Sequence, residues 1–384
     1  MGANLREHDL NYQMITTNDA LAAMSEASRA FPALALDTEF VRTRTYYPQL
    51  GLIQVFDGQQ VSLIDPLAIT DWAPFRELML DTSITKFLHA GSEDLEVFLN
   101  VFGTLPQPLI DTQILAAFSG RPLSWGFAAM VEEYTGLAID KSESRTDWLA
   151  RPLTGRQCDY AAADVWYLLP IAHKLMAEAD AAGWLPAALD ECRLMQQRRQ
   201  EILAPEEAWR DISNAWQLRT RQLACLRLLA DWRLRKARER DLAVNFVVRE
   251  ENLWAVARYM PGSMGELDSI GLSGSEIRFH GKTLLSLVAK AQALPEEALP
   301  EPLQNLVDMP GYRRAFKAIK ALVQEVSSEK GVSAELLASR RQINQLLNWH
   351  WNLKPQSTLP ELISGWRGEL MAEKLKTLLL EYPQ

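Results

Sequence analysis

Two carboxylates one residue apart, Asp37-Thr38-Glu39, stand directly behind the apolar run Ala33-Leu34-Ala35-Leu36. In an extended strand residues two apart share a face, so this spacing sends both acids side by side off the end of a buried strand. Adjacent anions repel until a cation neutralises them, and hard carboxylate oxygens suit magnesium or manganese. Asp94-Leu95-Glu96 has the same spacing but lies in Ser92-Glu93-Asp94-Leu95-Glu96-Val97-Phe98-Leu99, whose apolar residues recur at helical intervals. On a helix residues two apart do not share a face, so only the first pair reads as a preformed ion site. Alone, it is equally readable as surface charge at a strand end.

Two further clusters give that pair company. His89-Ala90-Gly91-Ser92-Glu93-Asp94 places an acid at a helix start just after an apolar strand, with Gly91 permitting a tight turn. Asp94 by itself reads as a charge favoured by the helix dipole. Tyr160-Ala161-Ala162-Ala163-Asp164 sets a phenol and a carboxylate four apart on one helix face, with only alanines between them to obstruct a substrate or a neighbouring backbone. Four carboxylates and a tyrosine in the order Asp, Glu, Asp, Tyr, Asp meet the needs of two-metal phosphodiester hydrolysis. Ions about 3.5–4 Å apart clamp the attacking water and the leaving oxygen, while a phenol orients that water or takes its proton. On this reading Asp37 bridges both ions, Glu39 and Asp164 complete the first, and Asp94 holds the second, directly or through water.

The elements that must position these residues follow from pattern. Residues 34–40, 50–56, 61–64, 85–89 and 108–110 read as strands, with Asp57-Gly58 turning a hairpin between the second and third. Residues 93–102, 124–134 and 154–181 read as helices, the last capped by Thr154. Strands interleaved with helices predict a mixed α/β domain over residues 11–203, preceded by a disordered extension at 1–10. Beyond Leu203-Ala204-Pro205 strand patterns stop. Two all-helical segments, 206–294 and 303–384, flank the Pro-rich stretch from 294 to 302, which suits a linker. Each segment shows a helix, a polar turn, a short apolar link and another helix, so the two are candidates for a degenerate repeat.

At 384 residues with 48% apolar content, two or three compact domains are expected. No apolar run reaches membrane-spanning length, and Arg6, Glu7, His8 and Asp9 interrupt any leader, which predicts a soluble cytoplasmic protein. Cys158, Cys192 and Cys225 are dispersed and read as reduced thiols. The net charge of −9 argues against a chain that simply coats nucleic acid, yet between Arg219 and Arg240 eight basic residues face two acidic ones. A polyanionic partner held at one place would explain that contrast.

At this point the chain resembles the ribonuclease D family of DEDD 3′-to-5′ exonucleases, in the subclass whose third motif carries tyrosine. Leu36-Asp37-Thr38-Glu39-Phe40, residues 89–94 and residues 160–164 are similar to its three motifs. Leu109-Ile110-Asp111-Thr112, Asp140-Lys141, Asp147-Trp148, Arg151-Pro152-Leu153 and, further on, residues 242–259 and Gly281-Lys282 extend the resemblance into a helicase and ribonuclease D C-terminal (HRDC) domain. The resemblance implies an α/β RNase H-like exonuclease domain followed by two all-α HRDC-like nucleic-acid-binding domains. It further implies two divalent metal ions with no organic cofactor, and a substrate at RNA 3′ ends, above all tRNA precursors, cut to nucleoside 5′-monophosphates. A monomer is expected. The competing functions are a proofreading-type DNA exonuclease and a nonhydrolytic nucleic-acid scaffold.

Other residues carry two readings each. Lys141 and Arg151 are candidates for phosphate contact, or partners of Asp140, Glu143 or Asp147. Asp111 reads as a helix cap and His89 as a hydrogen-bonded strand-end histidine. Phe40 either packs on a terminal base or on the core, and Tyr46 and Tyr47, after Arg42 and Arg44, either stack on nucleic acid or fill a loop. Leu223, Leu226, Leu229 and Trp232 must face a core, which leaves Arg233, Arg235, Lys236 and Arg238 as candidate RNA contacts or a solvated face. Trp349, Trp351 and Trp366 read as helical core.

Overall fold

The structure is a computed structural model that describes residues 10–384. The first half of the chain runs β1 (Tyr12–Ile15), α1 (Asn18–Ser28), β2 (Ala33–Val41), β3 (Gln49–Phe56), β4 (Val61–Ile64), α2 (Ala73–Leu80), β5 (Thr85–Leu88), α3 (Ser92–Phe102), β6 (Leu109–Asp111), α4 (Thr112–Phe118), α5 (Phe127–Thr135), α6 (Gly155–Ala181) and α7 (Leu185–Gln200). Six strands form one sheet in the order β1-β4-β3-β2-β5-β6. β2, which carries Asp37 and Glu39, lies between antiparallel β3 and parallel β5. The five expected strands and the Asp57-Gly58 hairpin are present; Asp57 accepts from the amides of Gln59 and Gln60, and Gly58 supplies φ +101°. β1 escapes pattern reading because its four residues show no alternation: only Ile15 is buried.

Strand alternation sorts β2 between two cores. Leu34 and Leu36 point to the side packed by α1, α2 and α3, alongside Leu95 and Phe98. Ala33 and Ala35 point to the other side, against α6. Ala161 and Ala162 of α6 are fully buried there, and small side chains allow a helix to approach a sheet closely. The α6 N-terminus is fixed as its sequence predicts: Thr154 accepts from Gln157 N while the Gln157 side chain accepts from Thr154 N.

The second half is helical: α8 (Thr220–Arg240), α9 (Val244–Val247), α10 (Glu250–Tyr259), α11 (Met264–Ser269), α12 (Gly274–Gln292), α13 (Tyr312–Lys330), α14 (Ala334–Leu337), α15 (Arg340–His350) and α16 (Gly365–Leu379). α8-α9-α10 and α13-α14-α15 repeat the sequence long helix, four-residue helix, medium helix, each closed by a further helix. The middle segment has its own core, built on Leu223, Leu226, Leu229, Val256 and Leu284. The last does not. Its core is continuous with the α6 side of the α/β domain, where Trp366 meets Phe118 edge-on at 5.0 Å and Trp184 at 6.4 Å. Beneath them Arg367, 3% exposed, pairs bidentately with Glu191 of α7 and donates to the carbonyls of Leu336 and Leu337. Of the expected extension at 1–10, residues 1–9 lie outside the described residues, and Leu10 is buried.

Candidate active site

Because Asp37 and Glu39 occupy odd positions of β2, both face α6, and α6 presents Asp164 to them. One carboxylate oxygen from each of the three lies within 4.8 Å of the others. Thr38, at the even position between them, faces α3 instead and donates to Asp94 Oδ1. Alternation therefore sets Asp94 slightly apart: it is 7% exposed, held by Thr38, yet close enough to repel Asp37. Gln54, on β3, donates to Glu39 Oε1 at 3.1 Å and fixes that carboxylate from the sheet side.

The field of the site follows from this crowding. Asp37, Glu39 and Asp164 are raised well above the usual carboxylate range, first by burial and then by one another's charge. Asp94 is pushed up to about 7, mainly by burial. Tyr160, one turn before Asp164, is also raised, by burial and then by Asp164, Glu39 and Asp37, so its phenol stays protonated at neutral pH. Its ring lies 6.0 Å from that of Trp148. A divalent cation would reverse these shifts, and the donor set is the right one: hard, anionic, buried oxygens on two rigid elements. The cluster borders a cavity of about 190 Å³ lined by Asp37, His89, Phe127, Lys141, Tyr160 and Asp164.

The turn that delivers Asp94 is braced from β6. Asp111 accepts from Ala90 N at 3.0 Å and Gly91 N at 2.8 Å, besides capping α4 through Gln113 N. Ala90 needs that support, since its φ is +52°. His89 bonds Thr112 Oγ1 and Trp125 O, which occupies both ring nitrogens and leaves no lone pair for a metal.

This geometry is shared with known proteins. Residues 12–180 match the 3′-5′ exonuclease family, residues 222–288 the HRDC domain, and residues 310–375 the C-terminal HRDC domain of ribonuclease D. A ribonuclease D from Escherichia coli is 81% identical, covering 98% of this chain and 100% of its own. One from Haemophilus influenzae is 41% identical over 95% of this chain and 93% of its own. The crystal structure of the Escherichia coli enzyme, described as an exoribonuclease involved in structured RNA processing, superposes with a TM-score of 0.96 over 97% of this chain and 100% of that one.

The chain belongs to the ribonuclease D family. It is a 3′-to-5′ exoribonuclease with an RNase H-like catalytic domain and helical HRDC domains. Membership in a ribonuclease family decides for RNA hydrolysis over the proofreading DNA exonuclease and the inert scaffold. Divalent metal use comes with the family and fits the acidic cluster. None of the described helices is long and apolar enough to cross a membrane.

Several basic residues read as RNA contacts have partners within the chain. Arg151 spends its guanidinium on Asp65 and on the carbonyls of Gly51, Trp148 and Ala150, tying the loop after α5 to β3, where a Cβ on Gly51 would come within 2.5 Å of Trp148 O. Arg233 is 5% exposed and bonds Val248 O and Glu250. Arg238 lies over the Tyr46 ring and donates to Leu203 O, while Asp241 accepts from Tyr47 N. Tyr46 and Tyr47 thus join the loop after β2 to the end of α8 and do not form an open stacking platform. Arg235 pairs with Asp231 and Glu206, and Lys236 with Glu239. Lys141 does reach the catalytic cavity. Phe40 packs on the α3-side core, as do Trp351 and Trp366 in theirs, whereas Trp349 is 36% exposed and departs from its expected burial.

Proposed function

We propose that Asp37, Glu39, Asp164 and Asp94 hold two divalent cations, magnesium or manganese, and that this chain uses them to release nucleoside 5′-monophosphates one at a time from RNA 3′ ends. The observation that carries the reading is the convergence of three buried carboxylates from β2 and α6 beside Tyr160. When bound, the cations supply Lewis acidity at the scissile phosphate and lower the pKa of the attacking water. Asp37 and Asp164 fix the cluster from strand and helix, Gln54 orients Glu39, and Thr38 orients Asp94. The Tyr160 phenol, one helical turn before Asp164, orients the attacking water or takes its proton. Lys141, on the same cavity, neutralises a substrate phosphate. Attack at phosphorus breaks the bond to the 3′ oxygen of the preceding nucleotide, which takes up a proton and becomes the new 3′ end.

The substrates proposed are tRNA precursors, a structured RNA class in keeping with the described role of the Escherichia coli relative. The reading places catalysis in residues 11–203 and RNA capture in 206–294 and 303–384, in a monomer acting in the cytoplasm. Matched RNA and DNA strands with free or blocked 3′ ends, incubated with magnesium, manganese or chelator, test it. Metal-dependent release of 5′-monophosphates from free RNA ends is expected, together with trimming of a 3′-extended tRNA. Equal release in chelator, or from blocked ends, would overturn it.

A further inference from the structure

The sequence directs attention to the arginines along α8, but most of them are committed inside the protein. What stands open is a groove on another side of that helix, about 610 Å³ in volume, between α8, α9, the start of α12 and Arg44 of the loop after β2. Two phenylalanines flank it in solvent, Phe246 at 51% exposure and Phe279 at 68%. Each carries an arginine over one ring face, Arg44 at 4.9 Å from Phe246 and Arg278 at 4.7 Å from Phe279. Large aromatic rings left in water on a soluble protein mark an interaction site.

The charges select the partner. Arg44, Lys236, Arg240 and Arg249 line the groove, against a single carboxylate, Glu276. That carboxylate is already used, accepting from Arg249 N, Asn252 Nδ2 and Ser273 N. Among the described residues Arg44, Arg240 and Arg249 have no ion-pair partner. His280, edge-on to Trp232 at 5.2 Å within the groove, is held below its ordinary pKa first by burial and then by Lys236 and Arg240, which marks the local field as positive. On a chain of net charge −9 such a concentration suits a polyanion with flat apolar faces.

We infer that this groove is a stacking subsite for single-stranded RNA, in which two bases lie on Phe246 and Phe279 while Arg240 and Arg249 hold the intervening phosphates. Arg44 connects it to the chemistry: it stands five positions after Glu39, a span of at most about 18 Å, so the strand leaving the groove is within a few nucleotides of the carboxylates. The subsite rests on the exoribonuclease activity stated above and adds to it a fixed grip upstream of the 3′ end. Because every base has a stackable face, the grip tolerates any sequence.

The test uses the full chain in chelator, where binding is read without hydrolysis, with a fluorescein-labelled 12-nucleotide oligouridylate as probe. The paired substitution Phe246→Ala and Phe279→Ala is expected to weaken binding by about tenfold or more. Arg240→Glu should also flatten the log–log salt dependence by roughly 0.7. Tyr259→Ala serves as the control, since Tyr259 is an exposed ring under Arg258 but outside the groove, and its affinity should match the parent. Replacing uridine by 5-iodouridine should yield photocrosslinks to peptides containing Phe246 or Phe279. Unchanged affinity in the paired variant would overturn the subsite and leave the groove to a protein partner, and equal weakening by Tyr259→Ala would overturn it in favour of diffuse surface binding. Neither result would touch the metal-dependent hydrolysis test, so failure here is separable from failure of the catalytic assignment.

Discussion

Each carboxylate of the cluster suffers in the fold what a cation would relieve, and this gives testable consequences residue by residue. Asp37→Asn, Glu39→Gln, Asp94→Asn and Asp164→Asn should each remove nearly all hydrolysis while leaving the chain folded, because each keeps shape and deletes metal-holding charge. Retained activity of Asp37→Asn in magnesium would refute the assignment. Tyr160→Phe should cost about 10²–10⁴-fold in turnover and leave magnesium affinity unchanged. The pH dependence follows from the raised pKa values. A carboxylic acid raised in the folded state stabilises the fold below its unfolded value, about 4, and that contribution is lost as pH climbs through the folded value, about 7 for Asp94. Without metal the protein should therefore lose stability between about pH 4 and 7 and beyond. Magnesium should raise Tm by an amount that grows from pH 5 to pH 8, and an equal gain at both ends would contradict the shifts. The grouping of Asp37, Glu39 and Asp164 beside Tyr160 was legible in the sequence because it follows from residue type and short spacing. Gln54 and Thr38 were not, since their roles depend on a register across β3 and on which side of the sheet α3 packs.

At the scale of elements, the turn between β5 and α3 depends on a carboxylate from another strand. Asp111→Ala would strip acceptors from the amides of Ala90, Gly91 and Gln113. Unsatisfied buried donors cost about 1–3 kcal/mol each, so for three of them a stability loss of roughly 3–9 kcal/mol is expected, with a fall in metal affinity as Asp94 loosens. Denaturant unfolding and calorimetric metal titration would check both; a stability loss with unaltered metal binding would show that the brace serves only α4. Arg233→Met separates the two readings of α8. It should lower stability by about 1–3 kcal/mol through the lost bonds to Val248 O and Glu250, and leave the salt dependence of RNA binding where it was. The five strands β2 to β6 and the helices α3, α5 and α6 came through sequence reading because hydrophobic period determines them, whereas β1, α1, α2 and α7 did not. The side on which each arginine of α8 lies did not, because apolar spacing locates the core-facing stripe without saying what else packs against the remainder. In this case the loop after β2 and the segment near 294–302 claim Arg238, Arg221 and Arg227.

At the scale of the whole molecule, cutting the chain at its apparent boundary is expected to leave no freely folding catalytic domain, because the cores of the first and last domains are continuous. The sequence places all five site residues before Pro205 and suggests a clean division there. The structure instead runs the core of the last domain into that of the first, with Glu191–Arg367 and Trp366 at the junction. Removing residues 206–384 would bare Phe118 and Trp184 to water and take from Glu191 its bidentate partner Arg367. The truncated protein should aggregate or melt well below the full chain, and truncation should depress turnover even on short RNA; an unchanged Tm would refute this. No periodicity within either segment could have announced that contact, since it joins residues more than 170 positions apart. The same junction also makes the middle domain a guest. Both of its ends are moored to one continuous body, so when its helices melt the strand between α7 and α13 becomes a closed loop of about 110 residues instead of a free tail. Such confinement removes disorder that an open chain would gain, on the order of 4–5 kcal/mol by analogy with a cross-link. A single protease nick in the Pro-rich segment at 294–302 would release that constraint, and the middle domain should then unfold at lower denaturant while the two outer domains stay locked together.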